Sequence, residues 1–86
     1  MGQVAMKLQI MPDSIERDMS ELKKEVKKAL RDHDVRGIAE RPIAFGLSAL
    51  EIVLVLPDSA GSEAIENAIL SVDGVQSVNV ISIDLL

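Results

Sequence analysis

Few side chains in this 86-residue sequence have the chemistry for catalysis. Ser48 and Ser71 are hydroxyl nucleophiles only if a base stands beside them, and no partner in the sequence marks one. His33, the only histidine, has no set of neighbouring ligands that would make it a metal site or a general base. Asp58, Asp73 and Asp84 fall at the ends of expected elements, where capping and solvation account for a carboxylate. There is no cysteine, which excludes disulfides, thiolate metal sites and thiol nucleophiles. No CxxC pair, aromatic RNA-stacking strand or glycine-rich phosphate loop is present. The chemistry left is recognition, and the sequence reads as a binding module with no catalytic residue, cofactor or metal of its own.

The stretch suited to recognition is Glu40-Arg41-Pro42-Ile43-Ala44-Phe45-Gly46-Leu47, which holds the only aromatic side chain. Pro42 fixes its own φ and drives Arg41 toward extended geometry, while Gly46 allows backbone angles closed to other residues. Pro42 to Gly46 is therefore expected to form a shaped loop with Phe45 near its tip. A single Phe flanked by Ile43 and Leu47 reads by composition as core, and by position as an exposed anchor for a partner.

Length and composition limit what can present this loop. One domain spanning residues 1–86 is expected, with room for a single core. Apolar residues make up 48 % and charged residues 27 %, a globular rather than a disordered balance. The longest apolar run, Ile52 to Leu56, is far short of the ~20 residues that cross a bilayer, and Lys7 interrupts any signal-peptide core. A cytoplasmic protein is expected, with no membrane partner. A net charge of −5 and a single aromatic argue against direct nucleic-acid binding. All nine Lys and Arg lie at or before Arg41, whereas residues 42–86 carry six carboxylates and no cation, an asymmetry able to orient a charged partner or simply to be solvated.

The elements follow from periodicity. Val4, Met6, Leu8 and Ile10 alternate with more polar neighbours and predict a first strand. Asp18 with Glu21 three residues on predicts a reciprocal cap, and Met19, Leu22, Val26, Ala29 and Leu30 form the apolar stripe of a helix with Arg31 in its last turn. Val35 to Ile43 reads as an edge strand ending at Pro42. Leu50, Ile52, Leu54 and Leu56, with Val53 and Val55 between them, predict a central strand. Ser62 is expected to cap a second helix carrying Ile65, Ala68, Ile69 and Val72, closed by Asp73-Gly74 as a glycine C-cap. Val75, Val78 and Val80 begin a last strand whose parity switches at Ile81, Ile83 and Leu85, as a bulge or a strand used on both faces would produce. The order β-α-β-β-α-β predicts an α+β, ferredoxin-like sandwich: a four-stranded antiparallel sheet with two helices on one face and the first and third strands central. The other face is expected to expose Val53, Val55, Ile81 and Ile83.

With Pro42-Ile43-Ala44-Phe45-Gly46-Leu47 followed by Ala49-Leu50-Glu51-Ile52, the sequence resembles the archaeal translation elongation factor 1-beta family. The resemblance takes in Met11-Pro12, Leu22-Lys23-Lys24 and Val75-Gln76-Ser77, and spans essentially the whole chain. It implies a single guanine nucleotide exchange domain over residues 1–86, acting on the GTPase elongation factor 1-alpha in its GDP-bound or nucleotide-free state, monomeric when free. It also implies that Pro42, Ile43, Ala44, Phe45 and Gly46 contact that partner together with the C-terminal Asp84, Leu85 and Leu86. Eukaryotic relatives carry a lysine next to the C-terminal residue that reaches toward the magnesium site; Asp84-Leu85-Leu86 stand here instead, and that role has no counterpart. The alternative is a small regulatory or assembly domain that pairs through its open sheet face and binds a metabolite between copies. An acyl-phosphate hydrolase on this fold needs an arginine cradle that Met11-Pro12-Asp13 does not provide.

Overall fold

A computed structural model describes residues 2–86. The elements run β1 (Gln3–Pro12), α1 (Met19–Ala29), β2 (Asp34–Pro42), β3 (Ser48–Pro57), α2 (Glu63–Leu70) and β4 (Val75–Leu85). The strands form one antiparallel sheet in the order β2-β3-β1-β4, the expected ferredoxin-like topology with β1 and β3 central.

Alternation along the central strands builds the core. Val4, Met6, Leu8 and Ile10 lie opposite Leu56, Leu54, Ile52 and Leu50, and all eight are buried. Directly opposed residues point to one face of a sheet, so these eight make the floor on which the helices pack. Leu22, Val26 and Leu30 from the α1 stripe, with Ile65 and Ile69 from α2, close the core, and no polar or charged residue is buried among the described residues.

The parity switch in the last strand is a bulge. Leu8 pairs with Val80 and Lys7 with Ser82, leaving Ile81 as the extra residue. Beyond it, Ile83 opposes Met6 and Leu85 opposes Val4, so Ile83 belongs to the helix face and not to the open face where it was expected. Its exposure has another cause. Helix α2 has eight residues and spans about 12 Å, while the eleven residues of β4 span about 36 Å, so one helix cannot cover the strand. On the open face Val53 is half-buried and Val55 is buried, contrary to expectation. Val55 lies on a central strand between Ala5 and Asp34, and Arg36, the bulge residue of β2, folds onto Asp34 through two 2.9 Å hydrogen bonds beside it. Lys7 and Arg41 both reach Glu51, at 3.5 and 3.6 Å, which gives that face a charged centre.

The helix ends correct four local readings. The Asp18 side chain accepts from the backbone N–H groups of Ser20 and Glu21, but no return bond from Glu21 closes the box among the described residues. Ser62 makes no side-chain cap: its backbone is already helical, and its hydroxyl donates to Glu66 at 3.3 Å. Helix α2 ends at Leu70, so Gly74 is not its C-cap; at φ 101° Gly74 shapes the turn into β4, where its carbonyl accepts from the Asp13 N–H at 2.9 Å. Helix α1 likewise stops at Ala29, two residues before Arg31.

Candidate functional site

The β2–β3 hairpin closes on a tight turn. The Leu47 N–H donates to the Ala44 carbonyl at 2.9 Å, and the Ile43 N–H donates to the Leu47 carbonyl at 2.8 Å. Between them Phe45 (φ 56°) and Gly46 (φ 80°) both have positive φ, the pattern of a type I′ turn, whose twist suits the flanking strands. Glycine takes this conformation freely. An L-residue there costs about 1–2 kcal/mol because its Cβ crowds the following carbonyl. Phe45 is the only non-glycine residue with positive φ among the described residues, and its side chain is 95 % exposed. The ring thus contributes no burial to offset the strain. Pro42, Ile43, Ala44 and Gly46 are exposed with it, and Ile43 is a second apolar side chain on the hairpin.

Asp84, Leu85 and Leu86 stand elsewhere. Leu85 lies opposite Val4, and the Leu86 N–H donates to the Gln3 carbonyl at 2.9 Å, so the tail continues the β1–β4 ladder. Gln3 in turn faces Pro57, the end of β3 remote from the hairpin. Nine residue steps along β3 separate the two ends, about 30 Å of extended chain. The hairpin and the tail, both candidate contact segments, occupy opposite ends of a molecule 42 Å long.

The hairpin end carries a second ordered segment, the turn from β1 into α1. Arg17 Nε and Nη2 donate to the two carboxylate oxygens of Asp13 at 3.2 and 2.9 Å, and Arg17 Nη1 approaches Asp73 at 4.0 Å. The hydrogen bond from Arg17 holds the Asp13 carboxyl below its ordinary pKa, and the same pairing raises that of Arg17. Asp34 is lowered in the same way by its hydrogen bonds from Arg36. A Cβ on Gly74 would meet the Arg17 guanidinium at 2.7 Å, so the glycine makes room for this clamp. In this turn Ile15 is exposed, a residue without periodicity to mark it in the sequence.

The remaining polar candidates are not gathered into a catalytic set. Asp58 accepts from the Gly2 N–H at 3.2 Å, the Ser71 hydroxyl donates to the Ala68 carbonyl at 2.6 Å, and Ser48 lies opposite Pro42 in the hairpin. His33 is exposed beyond α1. Among the described residues no group of three or more His, Asp or Glu side chains could hold a metal, and no helix is long and apolar enough to cross a membrane.

Comparison with known proteins places the whole chain beside one family. A model of the EF-1 guanine nucleotide exchange domain matches residues 5–86. The elongation factor 1-beta of Methanosarcina acetivorans is 46 % identical over 84 residues, covering 94 % of each chain. That of Methanocaldococcus jannaschii is 39 % identical over 88 residues, covering 99 % of each. That of Staphylothermus marinus is 37 % identical over 83 residues, covering 93 % of this chain and 92 % of its own.

Proposed function

This chain belongs to the EF-1 guanine nucleotide exchange domain family, and from that premise we propose that it promotes GDP release from elongation factor 1-alpha in the cytoplasm by pressing the Phe45 hairpin onto the GTPase. The observation that carries the reading is the backbone of Phe45. A bulky residue held at φ 56° with its ring in water gains nothing from the fold, and strain of this kind collects where a side chain must be presented to a ligand.

No covalent step is needed. An exchange factor binds the nucleotide-free GTPase more tightly than the GDP form, and by linkage it weakens GDP by the same factor. Burying a fully exposed Phe contributes about 1.5–3 kcal/mol, roughly 10- to 150-fold in affinity, if the ring meets its pocket only in the nucleotide-free state. The turn is already set, so little conformational entropy is lost on docking. Pro42, Ile43, Ala44 and Gly46 shape and flank the anchor. Asp84, Leu85 and Leu86 form a second contact about 30 Å away, which one partner reaches only along the long axis of the domain. The free chain is taken as a monomer, since the open face has a charged centre at Glu51 and buries Val55 within the domain.

Release of a fluorescent GDP analogue from elongation factor 1-alpha, followed with and without this chain, tests the proposal. Acceleration by the wild type and its loss in Phe45→Ala are expected. A wild-type chain that leaves the release rate unchanged overturns the activity, and a Phe45→Ala variant as effective as wild type overturns the role of the ring.

A further inference from the structure

We infer that Ile15, in the turn between β1 and α1, is a second apolar contact for the GTPase, and that Arg17 is the positioning residue that presents it. This rests on the reading of Phe45 as a partner contact. Ile15 is 63 % exposed, and its turn leaves the sheet at the hairpin end. Ile10 is opposite Leu50, so two residues further on Pro12 is level with Ser48, where the hairpin enters β3. The two strands are neighbours, about 4.8 Å apart. Ile15, Ile43 and Phe45 are therefore exposed apolar side chains on adjoining loops at one end of the sheet.

The turn is held on both sides of Ile15. The Asp13 N–H donates to the Gly74 carbonyl at 2.9 Å, the Glu16 N–H to the Ser14 hydroxyl at 3.1 Å, and the Arg17 N–H to the Ser14 carbonyl at 3.2 Å. Arg17 then clasps Asp13 with a two-pronged hydrogen bond. A turn fixed in this way has no internal use for an isoleucine kept in water, whereas an apolar side chain on an ordered loop docks with little entropy to lose. Asp13 and Arg17 neutralise one another beside it, and Glu16 supplies the charged rim usual around an apolar contact. The partner is the GTPase rather than a second copy of this chain. Ile15 leaves the sheet at the same end as the Phe45 hairpin, so a partner that takes up Phe45 meets Ile15 with it, whereas the groove of this molecule between α1 and the turn after α2 is rimmed by the charged Arg17, Glu21, Glu25, Lys28, Arg31 and Asp73.

The test measures affinity for nucleotide-free elongation factor 1-alpha, by competition with a fluorescent GDP analogue, for wild type, Ile15→Leu, Ile15→Ser, Arg17→Gln, the Ile15→Ser/Arg17→Gln pair and Phe45→Ala. Ile15→Ser is expected to weaken binding about tenfold with an unchanged unfolding midpoint, and Ile15→Leu to restore it. Arg17→Gln is expected to weaken binding about threefold when Ile15 is present, and to add nothing once Ile15→Ser is in place. That coupling is what a positioning role requires and what a general structural role does not produce. Binding by Ile15→Ser within about twofold of wild type overturns the contact, and an Arg17→Gln effect of equal size in both backgrounds overturns the positioning. Phe45→Ala binding like wild type would instead overturn the reading of Phe45, and a wild type that does not bind overturns both.

Discussion

Ile83 lies directly opposite Met6 across the β1–β4 ladder, yet Met6 is 1 % exposed and Ile83 56 %. They share a face of the sheet, and the difference between them is helix coverage. Met6→Ala is expected to cost about 2–5 kcal/mol in urea unfolding, and Ile83→Ser no more than about 1 kcal/mol. A loss from Ile83→Ser as large as that from Met6→Ala would mean that the end of β4 is covered in solution.

Phe45 permits a separation of strain from function. Phe45→Gly removes the left-handed penalty of about 1–2 kcal/mol and adds about 0.4–1 kcal/mol of unfolded-chain entropy, so stability is expected to stay level or rise by up to roughly 1.5 kcal/mol. Phe45→Ala keeps a Cβ at φ 56° and gains nothing. Both variants are expected to lose stimulated GDP release. A clear fall in melting temperature for Phe45→Gly would show that the ring packs on the domain.

Much of this is legible in the sequence because it depends on parity. Alternation in Val4 to Ile10 and Leu50 to Leu56 marks two central strands, and the switch after Val80 marks a bulge or a strand used on both faces, which the structure resolves as a bulge at Ile81. Parity does not show which residue a bulge leaves unpaired or what lies above a face, so it misplaces Ile83 and leaves Val55 in solvent when the structure buries it. Ser62 and Gly74 have the right types for caps, but a helical backbone at Ser62 and the early end of α2 put both to other uses. The Pro42 to Gly46 loop is legible from proline and glycine chemistry. The left-handed backbone of Phe45 is not, because the neighbouring glycine alone suffices to explain a turn. Ile15 escapes a sequence reading since a lone aliphatic residue in a loop has no period.

Gly74 supports the clamp by lacking a side chain. Gly74→Ala places a Cβ 2.7 Å from the Arg17 guanidinium at a φ of 101°, so the Arg17 side chain must shift and the backbone is strained. A stability loss of about 1–2 kcal/mol or more is expected from the backbone alone. Gly74→Ala with the stability of wild type would mean that the turn is free to rearrange.

Acid should weaken the same clamp. The folded-state pKa of Asp13 is depressed by its hydrogen bond from Arg17, so the folded protein holds fewer protons there than the unfolded chain through the acid range. The stabilisation is present in full above the ordinary carboxylate range near about pH 4 and declines as pH falls through and below it. Wild type is expected to be more stable than Asp13→Asn at neutral pH, with the gap closing as pH falls through the depressed folded-state pKa; Asp34→Asn should behave likewise through Arg36. The pair is exposed, so the gap is small and shrinks with salt. A gap independent of pH would mean that ionisation of Asp13 contributes nothing.

On the proposed mechanism the two ends of the domain can be tested separately. Asp84 brings negative charge to the tail, and a carboxylate cannot replace a bound magnesium ion electrostatically. Two roles remain for the tail: oxygen ligands that compete for the metal, or strand residues that extend β4 and add an apolar edge at Leu85. The ladder favours the second, since Leu85 faces Val4 and the Leu86 N–H is bound to the Gln3 carbonyl. Removing residues 84–86 frays the end of an edge strand and leaves the core between β1, β3 and the helices intact. Stimulated GDP release from the truncated chain is then expected to slow only several-fold, and from Phe45→Ala by far more, with both proteins folded by circular dichroism. If truncation abolished release while binding to the GTPase survived, the tail would be the active element and Phe45 an anchor that only holds the complex together.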